Sequence, residues 1–270
     1  MADEALVSDE LWEAVAPLLP PAPPKSWGGR PRIPDRAALS GIIFILRQGL
    51  RWSALPQALG YGSGVTCWRR LRRWQELGVW QAVHHTLLNW LGLLDAIRWE
   101  RASVDSTSVR AKRGGDDTGP SPTDRGKRGS KYHLVVDQQG VPLAVRLSAA
   151  NVHDSRLLLP VVDAIPPIWR PVGEPGRPRR RPAKLHADKA YTSAAHRRAL
   201  RRRGILPRIA RKGIESRDRL GQYRWIVERT NAWLLAFRRL TVRYELWEGK
   251  TSAASGGALV HVVQPTEDGV

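Results

Sequence analysis

The chain has 270 residues, 42% of them apolar, with 12 Trp, which is enough to bury a core and excludes a wholly disordered protein. Its longest apolar stretches, Gly41 to Leu46 and Leu87 to Ile97, fall short of the ~20 residues a bilayer span needs, and the single Cys67 excludes an internal disulfide or a cysteine-based zinc site. The charge is the strongest signal: 44 Lys and Arg against 25 Asp and Glu give a net +19, which favours a polyanionic partner, nucleic acid first, over an anionic membrane, an acidic protein or a merely solvated surface.

The amino terminus is acidic, with Asp3, Glu4, Asp9, Glu10 and Glu13 where a secretory signal needs a basic start and an apolar run, so a cytoplasmic protein is expected. Ser8 is placed to cap a first helix that ends by Pro20, with Val7 stapling onto Trp12. Residues 20 to 34 hold six prolines and read as an extended linker. Its Gly29-Arg30-Pro31-Arg32 string also suits a DNA minor groove, which makes Arg30 and Arg32 candidate contacts.

From Asp35, read as a cap, Leu39, Ile42, Ile43, Leu46 and Leu50 recur at helical spacing. A short second helix is expected around Trp52 to Leu59, and a third over Cys67 to Leu77, capped by Thr66 after the Gly62-Ser63-Gly64 turn. On that third helix Cys67, Leu71 and Trp74 form one apolar stripe. Arg69, Arg70, Arg72 and Arg73 take the remainder, as a helix-turn-helix element lying in a major groove would require. The bland reading of the same pattern is an Arg-rich amphipathic helix. A fourth helix over Val79 to Leu94 completes an all-α region ending at residue 98.

After Trp99 the apolar period shortens to two. Strands are expected over Ser103 to Val109, Lys131 to Asp137 and Val141 to Ser148, with a basic Gly-rich loop from Arg110 to Ser130 and a turn at Gln138-Gln139-Gly140. Asp154 and Ser155 then read as the cap of a helix running towards Ile165. Lys184 to Asp188 is a strand, Ser193 caps a helix over Ala194 to Arg203, Ile205 to Ile209 is a strand, and Tyr223 to Leu240 is the last strong helix. Residues 177 to 239 carry 20 basic and only 4 acidic side chains.

Three acids stand where local structure would not choose them. Asp105 lies in a strand-like run, Asp188 ends a second strand, and Glu228 sits inside the final helix. If the strands are neighbours and the helix crosses them, three carboxylates converge as a site for Mg²⁺ or Mn²⁺, ions that can serve phosphodiester chemistry. Taken singly, Asp105 also reads as a strand-end carboxylate, Asp188 as a cap, and Glu228 as a partner of Arg224 four residues earlier.

The chain to about Glu245 resembles bacterial insertion-sequence transposases of the DDE class, close to the insertion sequence five family. The similarity is carried by Leu11-Trp12 to Leu19, Gly29-Arg30-Pro31-Arg32, Gly49-Leu50-Arg51-Trp52, Val104-Asp105-Ser106-Thr107 and Lys131 to Asp137. It continues through His153-Asp154-Ser155, Ala187-Asp188-Lys189-Ala190-Tyr191 and Arg224 to Arg229, ending in Phe237-Arg238-Arg239-Leu240. The resemblance implies an α/β fold: a ribonuclease H-like mixed sheet with flanking helices over 99–245, behind a helical DNA-binding domain over 1–98. It implies Asp105, Asp188 and Glu228 as catalytic, Mg²⁺-binding acids (Mn²⁺ substituting). Lys189, Arg224, Arg229, Arg238 and Arg239 join the candidate DNA contacts.

The partners implied are double-stranded terminal inverted repeats and target DNA in a bacterial nucleoid, met as a homodimer because two ends are processed. The sequence departs from the pattern at Gly221 and Leu235, where the signature helix carries a Tyr and a basic residue, and in a polar tail over 246–270 instead of an apolar closing helix. That tail motivates a second expectation, a catalytically inactive DNA-binding remnant or repressor.

Overall fold

The computed structural model describes residues 6–22, 31–210 and 221–243, with the side chains at 221–224 and 239 outside the description. Arg30, the tail and most of the linker therefore lie outside the described residues, as do the side chains of Arg224 and Arg239. Among the described residues, no helix is long and apolar enough to cross a membrane.

The amino-terminal region is helical. Helix α1 spans Asp9–Val15, and the Ser8 hydroxyl accepts from the Leu11 amide at 3.3 Å, as its capping position predicts. Helix α2, Asp35–Gln48, buries Leu39, Ile42, Ile43 and Leu46. It ends at Gly49, whose φ of +63° is left-handed and whose missing Cβ makes room for Arg238, since a Cβ there would stand 2.5 Å from that side chain. The expected second helix is two separate 3₁₀ turns, Trp52–Ala54 and Gln57–Leu59, because Pro56 interrupts it and Gly60 ends it with a positive φ.

Helix α3 starts earlier than its sequence pattern predicts, at Gly64–Glu76, and its cap is Ser63, not Thr66: the Ser63 hydroxyl accepts from the Thr66 amide at 3.2 Å. Gly64 enters this turn because a Cβ would lie 1.6 Å from the Trp52 carbonyl oxygen. Helix α4, Val79–Leu93, packs against α3 and α1.

Two residues of this region are corrected by the fold. Asp35 is the first helical residue of α2 and makes no cap hydrogen bond; its carboxylate pairs with Arg70. Arg70, expected on the DNA face of α3, is only 8% exposed, and its guanidinium donates to Asp35 and, at 2.7 Å, to the Ile33 carbonyl. Its position borders the apolar stripe, so the long side chain reaches inward and clamps α3 to the start of α2. Arg69, Arg72 and Arg73 remain off the buried stripe, with Arg72 bonded to Glu76 at 2.8 Å.

The second region is a mixed sheet. Its main strands are β1 (Ala102–Ala111), β3 (Arg128–Val136), β4 (Pro142–Ala149), β5 (Lys184–Ala187) and β6 (Leu206–Ile209), side by side in the order β4-β3-β1-β5-β6. Two short strands join it, β2 (Gly119–Pro120) on β3 and β7 (Val242–Arg243) on β1. β1, β3 and β4 form the expected meander, whereas β5 runs parallel to β1, and β6 parallel to β5. A parallel pair needs a crossover, and α6 (Ala194–Arg202) supplies the one between β5 and β6.

α5 (Leu158–Asp163) packs on β3 and β4, and α6 packs on α5 and β6. The long helix α7 (Gly221–Ala236) lies across the opposite face, over β1, β3 and β5. Phe237, extended at ψ 102°, breaks it from α8 (Arg238–Thr241), so the single helix expected to Leu240 is two. One contiguous hydrophobic cluster runs from Val7 through α2 to α4 and into the sheet, so the change of architecture near residue 98 is not a break in the core.

Two outcomes test this packing. Arg70→Ala leaves Asp35 with only the more exposed Arg32 as a partner and takes the donor from the Ile33 carbonyl, and we expect denaturant melts to show a loss of about 2 kcal/mol, with Asp35→Asn adding much less in the double variant than alone. His133 is fully buried between β3 and β4, bonded to Ser148 Oγ at 2.8 Å, and burial pushes its pKa down from 6.5 to about 4. The unfolded chain therefore takes up a proton below pH 6.5 that the folded one refuses until about pH 4. Stability should hold above pH 6.5 and fall across that window, by up to about 3 kcal/mol from this residue. His133→Gln should flatten that part of the slope in melts taken at successive pH values.

Candidate active site

The site is built by strand register. β1 and β5 pair as Ala102↔Leu185 and Ser103↔His186, partners 83 residues apart, and the same separation relates Asp105 to Asp188. Extended past its last pair, Ser103↔His186, and one residue past the end of β5 at Ala187, that offset aligns Asp105 with Asp188 on adjacent chains, and aligned residues of a parallel pair share a face. That face is the one α7 covers: Thr107, two residues on from Asp105, lines a small apolar pocket with Asn231, Leu234 and Leu235 of α7. Both aspartates are half-buried, while Glu228 is exposed on α7, one helical position from the buried Val227.

Each acid has a local reason to be where it is. Asp188 follows the last residue of β5 in extended conformation, and its carboxylate accepts from the Lys189 amide at 2.5 Å, capping a 3₁₀ turn over Lys189–Tyr191. The cap foreseen as an alternative is present, and it fixes the orientation of the carboxylate beside β1. That turn drives Tyr191 into the core, 1% exposed. Its hydroxyl approaches Ser106 without the geometry of a hydrogen bond and has no partner of its own. Burial first, then the charges of Asp154, Asp105 and Asp188, push its pKa far above the ordinary phenol value. A phenol that feels three carboxylates at once marks a local excess of negative charge.

Asp154 is another residue that sequence reasoning placed wrongly. It does not cap a helix; the cap is His153, whose Nδ1 accepts from the Ser155 amide at 3.3 Å, and the segment Asp154–Leu157 is a 3₁₀ turn before α5. Asp154 instead bonds Lys131 Nζ at 2.8 Å, and the same ammonium donates to the Val152 carbonyl at 3.0 Å. The signal was available in Lys131, whose ammonium needs an acid nearby once it is half-buried in a strand that ends in the apolar run Leu134-Val135-Val136. Asp137, at the end of β3, was likewise unread: its carboxylate accepts from the amides of Arg98, Gln139, Gly140 and Val141, tying the β3–β4 turn to the entry of β1.

The donor set suits a hard divalent cation. Two in-register carboxylates with negative field to spare match the oxygen preference of Mg²⁺ or Mn²⁺, and Glu228 is the further acid that α7 brings over the same strands. Among the described residues, no three His, Cys, Asp or Glu side chains stand close enough to hold one ion, so Glu228 is not gathered onto the two aspartates. Around the site the basic candidates divide. Lys189 is half-buried in the turn after Asp188, and Arg238 is exposed on α8. Arg229 donates to the Gln139 carbonyl and lies over the rings of Trp225 and Trp233. Arg32 is bonded to Asp35 at 3.2 Å, at the far end of the helical region.

Family comparisons divide the chain where its architecture changes. A family model described as "Putative transposase of IS4/5 family" matches residues 7–84, and one described as "Transposase DDE domain" matches residues 100–263, more than half of the chain and past the boundary at 245 drawn from its pattern. A helical region followed by a mixed α/β sheet is consistent with that domain, and the chain is a DDE transposase by class. Within that class it belongs to the IS4/5 family.

It is 54% identical over 153 residues to "Putative transposase for insertion sequence element IS402" of Burkholderia cepacia, a match covering 57% of this chain and 64% of that relative's length. "Insertion element IS402 uncharacterized 16.2 kDa protein" of the same organism is 50% identical over 119 residues, covering 43% of this chain and 81% of the relative. "Uncharacterized protein y4sN" of Sinorhizobium fredii is 33% identical over 103 residues, 38% of this chain and 74% of its own.

Proposed function

We propose that this chain is a Mg²⁺-dependent transposase that binds the terminal inverted repeats of an insertion sequence, cleaves the phosphodiester at the element's ends and joins the freed 3′ ends to target DNA. The observation that carries the reading is the shared 83-residue register of β1 and β5, which levels Asp105 with Asp188 beneath the helix that bears Glu228. In this reading Asp105, Asp188 and Glu228 hold the metal. Bound there, the ions supply activation of the attacking oxygen and stabilisation of the leaving one.

The remaining roles belong to the chain itself. The ribonuclease H-like sheet fixes the two aspartates, and the Asp188 cap keeps one from rotating away. Lys189, Arg224, Arg229, Arg238 and Arg239 hold DNA phosphates near the acids, contacts that position the duplex without reading it. Arg69, Arg72 and Arg73 of α3 are the candidates for base edges, with Arg30 and Arg32 reaching a neighbouring minor groove. Two element ends call for two copies of the chain in the DNA complex.

Glu228→Gln in the purified protein should bring cleavage and joining of end DNA below detection while the Kd for that DNA changes by no more than about twofold, because phosphate contacts set the affinity. Normal joining by that variant would remove Glu228 from the site. Affinity should also fall steeply with salt, with a slope near −9 in log K against log salt for about ten phosphate contacts, and each contacting Arg replaced should lessen it by about one. A shallow slope in a titration from 50 to 200 mM salt would place the basic surface away from DNA.

A second reading, a DNA-binding protein without catalysis, is favoured by one observation: the three acids are not gathered around a single point among the described residues. Sequence-specific binding to end DNA with no nicking under Mg²⁺ or Mn²⁺ would decide for it.

A further inference from the structure

The basic Gly-rich segment between β1 and β3 takes no part in the metal site, in α3 or in the phosphate contacts assigned above. The structure gives it a definite shape. β1 pairs with β3 as far as Arg110↔Gly129, and beyond that point the chain folds back onto β3 through β2, with Gly119↔Gly129 and Pro120↔Arg128. One more rung extends this ribbon, the Ser121 amide donating to the Lys127 carbonyl at 2.8 Å, and residues 122–126 close it. Its root is fixed. Ser130 is fully buried, donates to the Asp117 carbonyl at 2.6 Å and accepts from Arg243 at 2.8 Å, and Gly119 leaves no room for a Cβ against Asn151.

At the tip Arg125 and Gly126 both have positive φ, +50° and +74°, and the Lys127 amide donates to the Asp124 carbonyl at 2.9 Å, which makes a type I′ turn. Such a turn favours Asn, Asp or Gly at its first central position, because a longer side chain is strained in the left-handed region. An arginine stands there instead. Lys112, Arg113, Arg125, Lys127 and Arg128 are all exposed, as is Arg110 at the root. Of the three acids in the segment, Asp124 is half-buried and paired with Arg110 and Lys127, Asp117 is half-buried, and Asp116 is exposed.

A strained arginine at the apex of a braced ribbon, flanked by further cations, is positive charge held out at a fixed distance. The register gives that distance. Asp105 pairs with Leu134, nine residues from Arg125 along β3 and its turn, so the apex stands roughly 25 Å from the acids. On B-form DNA that is about seven base pairs. The direction follows as well: β7 pairs with β1 at Arg110 and Ala111, the root of the ribbon, and α8, just before β7, packs on α2. The root therefore lies beside the segment that touches the helical region.

We propose that residues 112–128 form a finger that grips the phosphate backbone of duplex DNA about seven base pairs from the cleaved bond, on the terminal-repeat side. The occupant follows from charge: six exposed cations beside one exposed acid attract a polyanion and repel a second copy of this basic chain. Lys and Arg presented along a ribbon suit phosphates, which position a duplex without reading it. The inference rests on the reading of the chain as a DNA-processing protein, but it concerns binding and not chemistry.

The test is hydroxyl-radical footprinting of a duplex carrying the terminal repeat and its flank, bound by the full-length protein without divalent metal. The wild type should protect a short tract on the repeat side, about seven base pairs from the end of the element. Arg125→Gly, which removes the charge and suits the left-handed backbone, should expose that tract, leave protection elsewhere in place and melt no lower than the wild type. Arg113→Gln, Arg125→Gly and Arg128→Gln combined should lessen the slope of log K against log salt by about three in anisotropy titrations. A duplex cut back to about four base pairs on the repeat side should bind the wild type and this triple variant alike.

Unchanged protection and slope in the folded variants overturn the finger, and so does a uniform weakening of the whole footprint. A shift from dimer to monomer in sedimentation with the footprint intact would make the ribbon a contact between copies and overturn it too. Nicking of the same DNA with Mg²⁺ is scored separately: nicking by the wild type with an unchanged footprint in the variants sinks only the finger, whereas a tract lost in the variants without wild-type nicking sinks only the catalytic reading.

Discussion

The parallel pairing of β1 with β5 is the constraint on which the rest depends. It is the one strand pairing of the sheet's centre that brings distant segments together without a hairpin, and its register alone decides whether Asp105 and Asp188 are level or a residue out of step. A slip of one would turn one aspartate to the other face of the sheet, towards α5 and α6. Several features hold the register. Leu185 and Ala187 are buried among the core residues of the sheet, the Ala183 amide donates to the Trp99 carbonyl at 2.7 Å just before the paired segment, and the Asp137 carboxylate anchors the entry of β1 through Arg98.

Electrostatics give the same site its character. The half-buried aspartates and Asp154 lie near one buried phenol, while the surrounding surface is strongly basic. A local excess of negative charge within a strongly basic chain is an arrangement that favours divalent cations and polyanions together. Lys131 offsets only part of the negative charge, because its ammonium is committed to Asp154 and the Val152 carbonyl. The helical region is joined to this machinery through a continuous core. The close approach of Gly49 to Arg238 adds a direct contact between the end of α2 and α8, the segment that follows α7.

Much of this was legible in the sequence because it is local. Alternating apolar residues gave β1, β3 and β4, the helical spacing of Leu39, Ile42, Ile43 and Leu46 gave α2, and Ser8 and Ser193 gave their caps. What escaped is set by tertiary contacts. Arg70 looks like its arginine neighbours until α2 places Asp35 across from it, and Asp154 looks like a cap until β3 presents Lys131. The break at Phe237 carries no Pro or Gly; it follows from β7 joining the end of β1. Of the proposed site, the three candidate acids stood out by their unusual local positions, but aligning two of them required a register, and the distance of Glu228 from them depends on how α7 crosses the sheet.

The most direct test of the account is to locate the metal. Ferrous iron substituted for Mg²⁺ in the full-length protein on end DNA, with ascorbate and peroxide, cuts the polypeptide beside the bound ion. The account predicts backbone cuts near Asp105, Asp188 and Glu228 that Mg²⁺ suppresses and that Asp188→Asn abolishes together. Cuts confined to other segments, or a cut near Glu228 that survives in Asp188→Asn, would contradict a site built by the β1–β5 register.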